Sequence, residues 1–255
     1  MNVGVTGATG RMGQTVLDVL DDRDDEVAFA VSRSGPTAGS KGQPIESASR
    51  FPELVGDREV DVVVDFTAPE ASVDYASAAA NAGVPIVVGT TGFSDEQATE
   101  LETAGEEIPV LVGANFARGV QALLAAVEEA VATLPEYDVE LTETHHDGKR
   151  DAPSGTANVI LDGIDAARGQ ESPRVHGRVG EAERADGEIG VHARRAGDVT
   201  GEHEVLLAGN RETLTLTHRA GSRAVFAEGA LDAAAWLPDQ EPGTYRFTDV
   251  ADRLA

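Results

Sequence analysis

The chain has no cysteine among its 255 residues, and this absence excludes several kinds of chemistry. Disulfides, thiolate nucleophiles, and zinc or iron–sulfur sites built on cysteine are all ruled out. The absence also agrees with a cytoplasmic location, because structural disulfides belong to oxidising compartments. Aromatic residues make up only 4% of the chain, so the core has to be built mainly from Val, Leu, Ile and Ala.

Positive charge is scarce as well. Twenty Lys and Arg residues stand against 45 Asp and Glu, which gives a formal net charge of −25, and only Lys41 and Lys149 are lysines. No general basic surface is available, so we expect no binding to nucleic acid. The acidic excess predicts a strongly solvated surface. We expect this surface to be an adaptation to a salt-rich cytoplasm, where ions screen the self-repulsion; the alternative is an acidic surface that serves solvation alone.

Long hydrophobic runs are missing too. No apolar run approaches the ~18 residues that a membrane span needs. The first residues carry neither the basic segment nor the cleavage site of a signal peptide. We therefore expect a cytoplasmic protein with no membrane partner.

What the sequence does contain is an alternation of short apolar runs and longer helical patterns. In the first part the predicted strands are residues 2–6, 26–31, 60–65, 84–88 and 108–112. The helical patterns between them include residues 10–20, residues 69–82 and a helix after Ser94, with Gly83 as a predicted stop. This alternation predicts an α/β fold with a doubly wound parallel sheet of the Rossmann type.

The pattern changes after a long helix predicted at residues 118–134. The later predicted strands are residues 137–144, 189–195, 204–207 and 213–217. They indicate a second α+β domain with a mixed sheet. Residues 178–188 are predicted to form a solvated loop.

Three glycines follow the first predicted strand and open the first helix, namely Gly7, Gly10 and Gly13. Glycines allow a tight turn, and the N-terminus of a helix favours an anion. The GxxGxxG spacing is weaker than GxGxxG, but its place at the first βα junction favours a dinucleotide over a ligand-free turn. Gly4, inside the strand, is predicted to be a packing glycine.

The end of the second predicted strand bears on which cofactor binds. A site that prefers NAD usually has Asp or Glu there, whereas this chain has Ser32 and Arg33. No carboxylate opposes a 2′-phosphate, and Arg33 could pair with one, with Arg11 adding to it. We expect a preference for NADPH with NADH still used. The alternative is that Arg33 is only a surface arginine.

The densest polar cluster is HHDGKRDAPSGT, residues 145–156. A lysine and two imidazoles suit an anionic substrate and proton transfer near neutral pH. Ser154 is predicted to cap a helix rather than to act as a nucleophile. A metal site is not expected, because no third ligand of evident spacing joins the two histidines. The other histidines, His176, His192, His203 and His218, are predicted to be structural or surface residues.

These motifs resemble the 4-hydroxy-tetrahydrodipicolinate reductase family, also called dihydrodipicolinate reductase, of the diaminopimelate route to lysine. The resemblance rests on VGVTGATGRMG, VVGTTG, GANF, HHDGKRDAPSGTA, RRAGDVTGEHEV and THRAGSR. It implies a dinucleotide-binding domain of residues 1–117 and 223–255, and a substrate-binding and tetramerisation domain of residues 118–222. It also implies a homotetramer that reduces a small cyclic dicarboxylate with NADPH or NADH.

The resemblance also implies roles for individual residues. His145 becomes the proposed acid/base, Lys149 a second proton donor, and His146, Gly155 and Thr156 contacts of the substrate carboxylates. The implied cofactor-binding residues are Gly7, Ala8, Thr9, Gly10, Arg11, Met12, Ser32, Arg33, Gly89, Thr90, Thr91, Gly113, Ala114, Asn115 and Phe116. Ser32 replaces an acidic residue often found in the family, which weakens the case for NADH.

Two other functions stay open at this point. A redox sensor that binds NADP(H) without turnover would share the glycine turn, but it needs no proton donor beside a carboxylate site. Another two-domain NAD(P)-dependent dehydrogenase would oxidise an alcohol or an amine.

Overall fold

The chain divides into two compact units in the computed structural model, which describes residues 1–23, 25–39 and 42–254. One unit joins Met1–Ala117 to the C-terminal segment that begins at Arg223, and the other is Arg118–Ser222. Each unit has its own sheet; the first unit has a core on each face of its sheet, and the second unit has one core.

Four residues of the predicted first domain lie outside the described part of the chain. They are Asp24, Ser40, Lys41 and Ala255.

The sheet of the first unit has eight strands. In their order across the sheet they are β13 (Gly243–Arg246), β7 (Pro109–Val112), β6 (Ile86–Val88), β5 (Val62–Asp65), β1 (Asn2–Thr6), β2 (Glu26–Ser32), β4 (Pro44–Ser47) and β3 (Thr37–Ala38). Neighbouring strands are parallel from β13 to β4, and β3 runs antiparallel to β4. The predicted doubly wound parallel sheet is confirmed. Its order reverses at β1, because β2 lies on one side of β1 and β5 on the other.

Helices cover both faces of this sheet. They are α1 (Arg11–Asp22), α2 (Phe51–Asp57), α3 (Pro69–Ala82), α4 (Asp95–Gly105), α7 (Ala224–Trp236) and α8 (Phe247–Val250). Pro69 opens α3, and Gly83 ends it at φ 70°, so the predicted stop is confirmed. Ser94 and Gln97 form a capping box at the start of α4.

The run of valines in β5 shows why both faces need cover. Val62 and Val64 contact the core formed with α1 and α7, whereas Val63 belongs to the core formed with α3 and α4. All three are fully buried, as expected for a central parallel strand. Gly4 lies against the ring of Phe29, where a Cβ would collide, so its predicted packing role is confirmed.

The sheet of the second unit is mixed, as predicted. Its order is β12 (Glu212–Arg219), β11 (Glu202–Gly209), β8 (Asp138–His145), β10 (Ile189–Arg195) and β9 (Arg174–Val175). Strand β11 is antiparallel to both of its neighbours, whereas β8, β10 and β9 are parallel to one another.

Two helices, α5 (Arg118–Thr133) and α6 (Gly155–Arg168), pack on this mixed sheet. Val139 and Leu141 of β8 belong to the core beneath these helices. Because side chains alternate along a strand, Glu143 falls on the same face, and it is fully buried. On this face of β8, the apolar residues Val139 and Leu141 are thus followed by the charged residue Glu143.

Residues 178–188 contain no helix or strand, as predicted. The segment is nevertheless attached to the sheet, because Arg178 and Arg184 both pair with Glu140 of β8. Arg178 also pairs with Glu188, which is buried.

Among the described helices, none combines the length and the apolar character that crossing a membrane requires.

Candidate functional site

The glycine turn joins the end of β1 to the start of α1. Gly7 has φ 66°, a conformation that side-chain-bearing residues rarely adopt, and a Cβ there would collide with the carbonyl of Phe66. A Cβ at Gly13 would collide with the carbonyl of Gly7. The Gly10 N–H donates to that same carbonyl at 2.8 Å, which closes the turn. Because its glycines have no side chains, the backbone of the turn lies uncovered next to the first residues of α1.

The residues of this turn differ in what they can offer a ligand. Thr9, Gly10 and Arg11 are exposed, and the N–H groups at the start of α1 have no partner within the helix. Ala8 is fully buried, and its N–H donates to the carbonyl of Val31 at 3.1 Å. The exposed start of α1 therefore fits a pyrophosphate, while Ala8 fastens the turn to β2.

Ser32 ends β2 beside the glycine turn. Its hydroxyl is 2.6 Å from that of Thr9 and accepts the Ser34 N–H at 3.2 Å. Ser32 is buried, whereas Arg33 is exposed directly after it. The position where NAD-preferring enzymes carry a ribose-binding carboxylate thus holds a hydroxyl tied to the turn, next to a cation.

The loops after β6 and β7 each contain a predicted cofactor residue whose side chain is buried and contacts other parts of the protein. The Thr90 hydroxyl accepts the Thr67 N–H at 3.0 Å and is buried. The Phe116 ring is also buried, and its centre lies 5.9 Å from that of Phe66 and 4.8 Å from that of Phe247. These two residues can meet a ligand only through their backbone. Ala114 and Thr91, in contrast, are exposed.

Asp65, which sequence reasoning missed, organises the sheet edge beneath these loops. Its carboxyl accepts hydroxyl hydrogen bonds from Thr67 at 2.7 Å, Ser72 at 2.5 Å, Thr90 at 3.0 Å and also Thr6. Burial raises the pKa of Asp65, and the hydroxyls oppose that effect. The cluster links the ends of β1, β5 and β6 at the edge where ligands of open α/β sheets bind.

In the second unit, His145 ends β8, and its ring is held by a neighbour on the same strand. Nδ1 of His145 lies 2.5 Å from Oε2 of Glu143. The side chain of Glu143 is 0% exposed and that of His145 is 12% exposed. A residue two positions earlier on a strand shares its face, which explains the contact.

Arg195 of β10 and Ser154 complete the surroundings of Glu143. Strand register places Arg195 opposite His145. Its guanidinium donates to both carboxylate oxygens of Glu143, at 2.8 and 2.7 Å. The Ser154 N–H donates to Oε1 at 3.2 Å. We refer to Glu143, His145, Ser154 and Arg195 as the Glu143 cluster.

Burial and charge act against each other on the ionisable groups of this cluster. Burial raises the pKa of Glu143, but hydrogen bonds from Arg195 and His145 outweigh it and hold that pKa below its usual value. Burial lowers the pKa of His145, and the hydrogen bond to Glu143 only partly offsets this. Glu143 is therefore ionised, and His145 is mainly neutral near neutral pH.

Lys149 lies in the loop that follows His145. Its Nζ forms an ion pair with Asp151 at 2.9 Å, and its charge adds to the lowering of the His145 pKa. The Lys149 N–H donates to the carbonyl of His146 at 3.2 Å. The charge of Lys149 thus acts on the neighbouring predicted acid/base, His145.

Ser154 caps α6, as predicted. Its hydroxyl accepts the Ala157 N–H at 3.2 Å, and the helix then begins at Gly155 and Thr156. Nε2 of His203 lies 3.1 Å from the same hydroxyl. Within the described residues, Nδ1 of His203 is buried without a hydrogen-bond partner, so no third group completes a Ser–His–acid arrangement.

Sequence reasoning missed Glu143 and Arg195, and it assigned His203 only a structural or surface role. Glu143 and His145 could have been linked by their spacing of two if the strand predicted at residues 137–144 had been extended by one residue, as the structure extends it. Arg195 and His203 could not, because their positions depend on how β10 and β11 pair with β8. Among the described residues, no group of three or more His, Asp or Glu is arranged to hold a metal ion.

Comparison with known families matches the chain in two parts. Residues 1–116 match the model described as dihydrodipicolinate reductase, N-terminus, and residues 119–251 match dihydrodipicolinate reductase, C-terminus.

Individual relatives and a solved structure agree with these matches. The 4-hydroxy-tetrahydrodipicolinate reductase of Natronomonas pharaonis is 56% identical over 98% of this chain and 99% of its own length. That of Haloarcula marismortui is 50% identical over 98% of each chain. The dipicolinate-bound dihydrodipicolinate reductase from Paenisporosarcina sp. TG-14 shares the fold, with a TM-score of 0.79, 24% identity, and coverage of 98% of this chain and 99% of that one.

Proposed function

The chain belongs to the dihydrodipicolinate reductase family, and we propose on that basis how its two units divide one reaction. The protein is an oxidoreductase that uses a nicotinamide cofactor. It reduces 4-hydroxy-tetrahydrodipicolinate in diaminopimelate and lysine biosynthesis. The first unit holds the cofactor, and the second holds the substrate and delivers the proton.

The observation that carries this division is the arrangement in the second unit. His145, Lys149 and the N-terminus of α6 all lie around one buried carboxylate or in the loop beside it. A helix N-terminus attracts a carboxylate, and a histidine beside a cation can exchange a proton. A sensor without turnover would need neither arrangement.

The first unit fits a dinucleotide, because Gly7 and Gly13 allow a tight turn that only glycine can form, and this turn leads into the exposed start of α1, where a pyrophosphate can bind. The bound nicotinamide would supply a hydride. We assign the pyrophosphate to the turn and the adenosine ribose to Ser32 and Arg33. The loops after β6 and β7 flank the nicotinamide. The assigned residues are Gly7, Ala8, Thr9, Gly10, Arg11, Met12, Ser32, Arg33, Gly89, Thr90, Thr91, Gly113, Ala114, Asn115 and Phe116.

The cofactor is NADPH in preference to NADH, with both accepted. A 2′-phosphate beside Ser32 meets a hydroxyl rather than a carboxylate, and the exposed Arg33 can pair with it. The fixed position of Ser32 supports this assignment, because Thr9 holds its hydroxyl.

The substrate is a small cyclic dicarboxylate, and its carboxylates bind to His146 and to Gly155 and Thr156 at the start of α6. The positive end of the helix dipole stabilises an anion there. Fixing the carboxylates orients the ring toward the proton donors, which lowers the entropic part of the barrier.

Lys149 and His145 share the proton transfer. His145 is mainly neutral near neutral pH, because burial lowers its pKa, so it suits a relay or a base. The ammonium of Lys149 then acts as the proton donor to the negative charge that develops on the substrate ring.

The active form is a homotetramer in the cytoplasm. In the second unit the helices α5 and α6 belong to one core, whereas β12 is mostly exposed and includes Leu214 at 37%. An exposed strand of this kind can pair or pack with a second copy. The lack of cysteine and the net charge of −25 agree with a reducing, salt-rich cytoplasm.

The proposed function is tested by following NADPH and NADH oxidation in high KCl. The substrate is generated in place from pyruvate and aspartate semialdehyde by the preceding synthase. We expect oxidation that depends on the synthase, with a higher kcat/KM for NADPH. No oxidation by folded protein that still binds NADPH would contradict the reductase assignment and favour a sensor. Oxidation of an alcohol or amine with NADP+ would favour another dehydrogenase.

The same assay separates the two proton-transfer residues. His145→Gln should lower kcat strongly with a modest change in KM, and Lys149→Ala should damage turnover at least as much. An unaltered single-turnover rate in either variant would remove that residue from the proton transfer.

A further inference from the structure

We propose that Glu143 is a positioning residue that ties the imidazole of His145 to the first turn of α6. The proton-transfer group and the carboxylate-binding helix end would thereby keep one fixed arrangement. The inference rests on the proposed function, which assigns the roles of His145 and α6, and it adds a residue to which the family resemblance gave no role.

The contacts of Glu143 use both of its oxygens fully. Oε2 accepts from Nδ1 of His145 at 2.5 Å and from Arg195 at 2.8 Å. Oε1 accepts from Arg195 at 2.7 Å and from the Ser154 N–H at 3.2 Å. A carboxylate offers about four acceptor positions, so these four donors fill it. Glu143 thus joins β8, β10 and the start of α6 at one point.

Burial makes this arrangement more than a surface ion pair. The side chain of Glu143 is 0% exposed, and that of Arg195 is 19% exposed. A buried charge is tolerated only when it is paired and hydrogen-bonded. Because Arg195 already supplies the opposite charge through two hydrogen bonds, neutralising Glu143 does not require His145. The contact with His145 is a further feature of the site.

An ionised Glu143 fixes which nitrogen of His145 carries the hydrogen. A carboxylate only accepts, so the neutral imidazole keeps its hydrogen on Nδ1 and donates it to Oε2. The other nitrogen, Nε2, is then the atom that gains or loses a proton. It lies toward Gly201, where a Cβ would come within 3.2 Å of it. The absence of a side chain at Gly201 leaves Nε2 uncrowded.

Several charged or titratable groups face His145 from the elements around it. Glu143 lies on its own strand, Lys149 in the following loop, Arg195 on β10 and His203 on β11. Glu143 is the one carboxylate of this set, and it favours the protonated imidazole, whereas Lys149 and Arg195 disfavour it. Removing the negative charge of Glu143 should therefore move the pKa of His145 further down.

The test compares Glu143→Gln with Glu140→Gln. Glu140 is a matched control, because it lies on the same strand, pairs with His192 at 2.7 Å and with arginines, and sits on the opposite face.

A glutamine at 143 keeps the shape, but its NH₂ group is a donor that conflicts with Nδ1–H, with Arg195 or with the Ser154 N–H. By analogy with the loss of an orienting carboxylate in hydrolases, kcat should fall by about 10²- to 10⁴-fold. KM should change less than about tenfold, and the limb of the pH profile assigned to His145 should move to lower pH. Glu140→Gln should leave kcat and the profile unchanged.

A second variant distinguishes a purely structural role of Glu143 from its proposed role in positioning His145. In Glu143→Leu/Arg195→Met the buried carboxylate and the cation that pairs with it disappear together, so stability should recover relative to Glu143→Leu alone. The low kcat should persist, because His145 is still unoriented. Recovery of kcat in the double variant would overturn the proposal, and so would a wild-type kcat in Glu143→Gln.

A spectroscopic measurement keeps the proposal testable without turnover. In the full-length protein with isotope-labelled histidine, the imidazole nitrogen shifts report the tautomer, and His145→Asn identifies the His145 signal. We expect Nδ1–H in the wild type and a different tautomer or mixture in Glu143→Gln. An Nδ1–H signal unchanged by Glu143→Gln would contradict the proposal. Absence of reductase activity in a wild type that retains this tautomer would instead count against the proposed function.

Discussion

The imidazole of His203 meets that of His145 edge to face, with ring centres 5.3 Å apart and an angle of 74° between the planes. Two imidazoles so close cannot easily both carry a positive charge. Burial lowers the pKa of His203 to about 4, and the proximity of His145 adds to this. His203 is thus neutral in the folded protein, where it bonds to the hydroxyl that caps α6.

The first prediction concerns stability in acid. The pKa of His203 falls from 6.5 in the unfolded chain to about 4 in the folded protein, so the unfolded chain binds the proton more readily between these values. Stability should therefore decline as the pH falls through this window, by on the order of 3 kcal/mol from this residue. We expect His203→Gln to show a smaller decline in the free energy of unfolding, measured by denaturant titration in constant KCl. His176→Gln, at an exposed position, is the control, and an equal acid response in all three proteins would contradict the prediction.

The second prediction concerns the space beside His145. A Cβ at Gly201 would lie 3.2 Å from Nε2 of His145, closer than an ordinary contact. Gly201→Ala should displace the imidazole slightly and lower kcat by about tenfold, since small errors in position are costly in catalysis. Gly56→Ala is the control, because nothing lies within 4 Å of its added Cβ. If kinetics and single-turnover rates show an unimpaired kcat in Gly201→Ala, then Nε2 is not the reacting atom.

The third prediction concerns the hydroxyl cluster around Asp65. In Asp65→Asn, hydroxyls that donate to the carboxyl must rearrange around an NH₂ group, so the free energy of unfolding should fall by about 1–3 kcal/mol. The KM for the cofactor should rise, because Thr90 and its loop lose an anchor. Burial raises the pKa of Asp65 in the folded protein, so the contribution of this group to the stability of the wild type falls as the pH rises. The difference in the free energy of unfolding between the wild type and Asp65→Asn should therefore become smaller at higher pH. Asp18→Asn, on the exposed side of α1, should show neither effect.

The fourth prediction concerns cofactor choice. Arg33→Ala removes the cation after Ser32, so kcat/KM for NADPH should fall by about 10- to 100-fold while that for NADH stays near its original value. Arg253→Ala, another exposed arginine of the first unit, should change neither. The loss should be smaller in high KCl, because salt screens an exposed ion pair. An equal loss with both cofactors would show that Arg33 does not contact the 2′-phosphate.

The fifth prediction concerns salt. With a net charge of −25, self-repulsion should destabilise the folded protein when few ions are present. The thermal unfolding midpoint should rise steeply with KCl, and an uncharged osmolyte at equal concentration should have a smaller effect. Full stability in low salt would refute adaptation to a salt-rich cytoplasm.

The sequence predicts the main elements well where local signals are strong. Strands β1 and β10 have the predicted bounds, and helix α3 runs between its predicted proline and glycine signals. The short elements were missed. Strands β3 and β9 have two residues each, too few for a period to be recognised, and α2 has only seven.

The candidate site was predictable only as far as single motifs reach. His145, Lys149 and the start of α6 lie within one short stretch of sequence, and the role of Ser154 as a cap followed from its position. Glu143 looks like any polar strand residue until the pairing of β8 with β10 places Arg195 opposite His145, from where its guanidinium reaches the Glu143 carboxylate. Asp65 is equally unremarkable in sequence, because its four hydroxyl partners come from three separate stretches of the chain. Contacts made between distant segments have no local signature.

The return of the chain to the first unit at Arg223 determines when that unit can be finished during synthesis. Helix α7 supplies Ala230 and Leu231 to the same core as Val16 and Leu20 of α1, and β13 adds the edge strand beside β7. During translation the first unit therefore leaves the ribosome incomplete, and the second unit is translated in full before α7 and β13 emerge. The second unit can complete its folding while the first unit still lacks α7 and β13. The second unit can therefore finish folding first, although the first unit begins at the N-terminus. A chain truncated before α7 would leave the core face of α1 uncovered, so translation that stops early should yield a target for proteolysis rather than a partial enzyme.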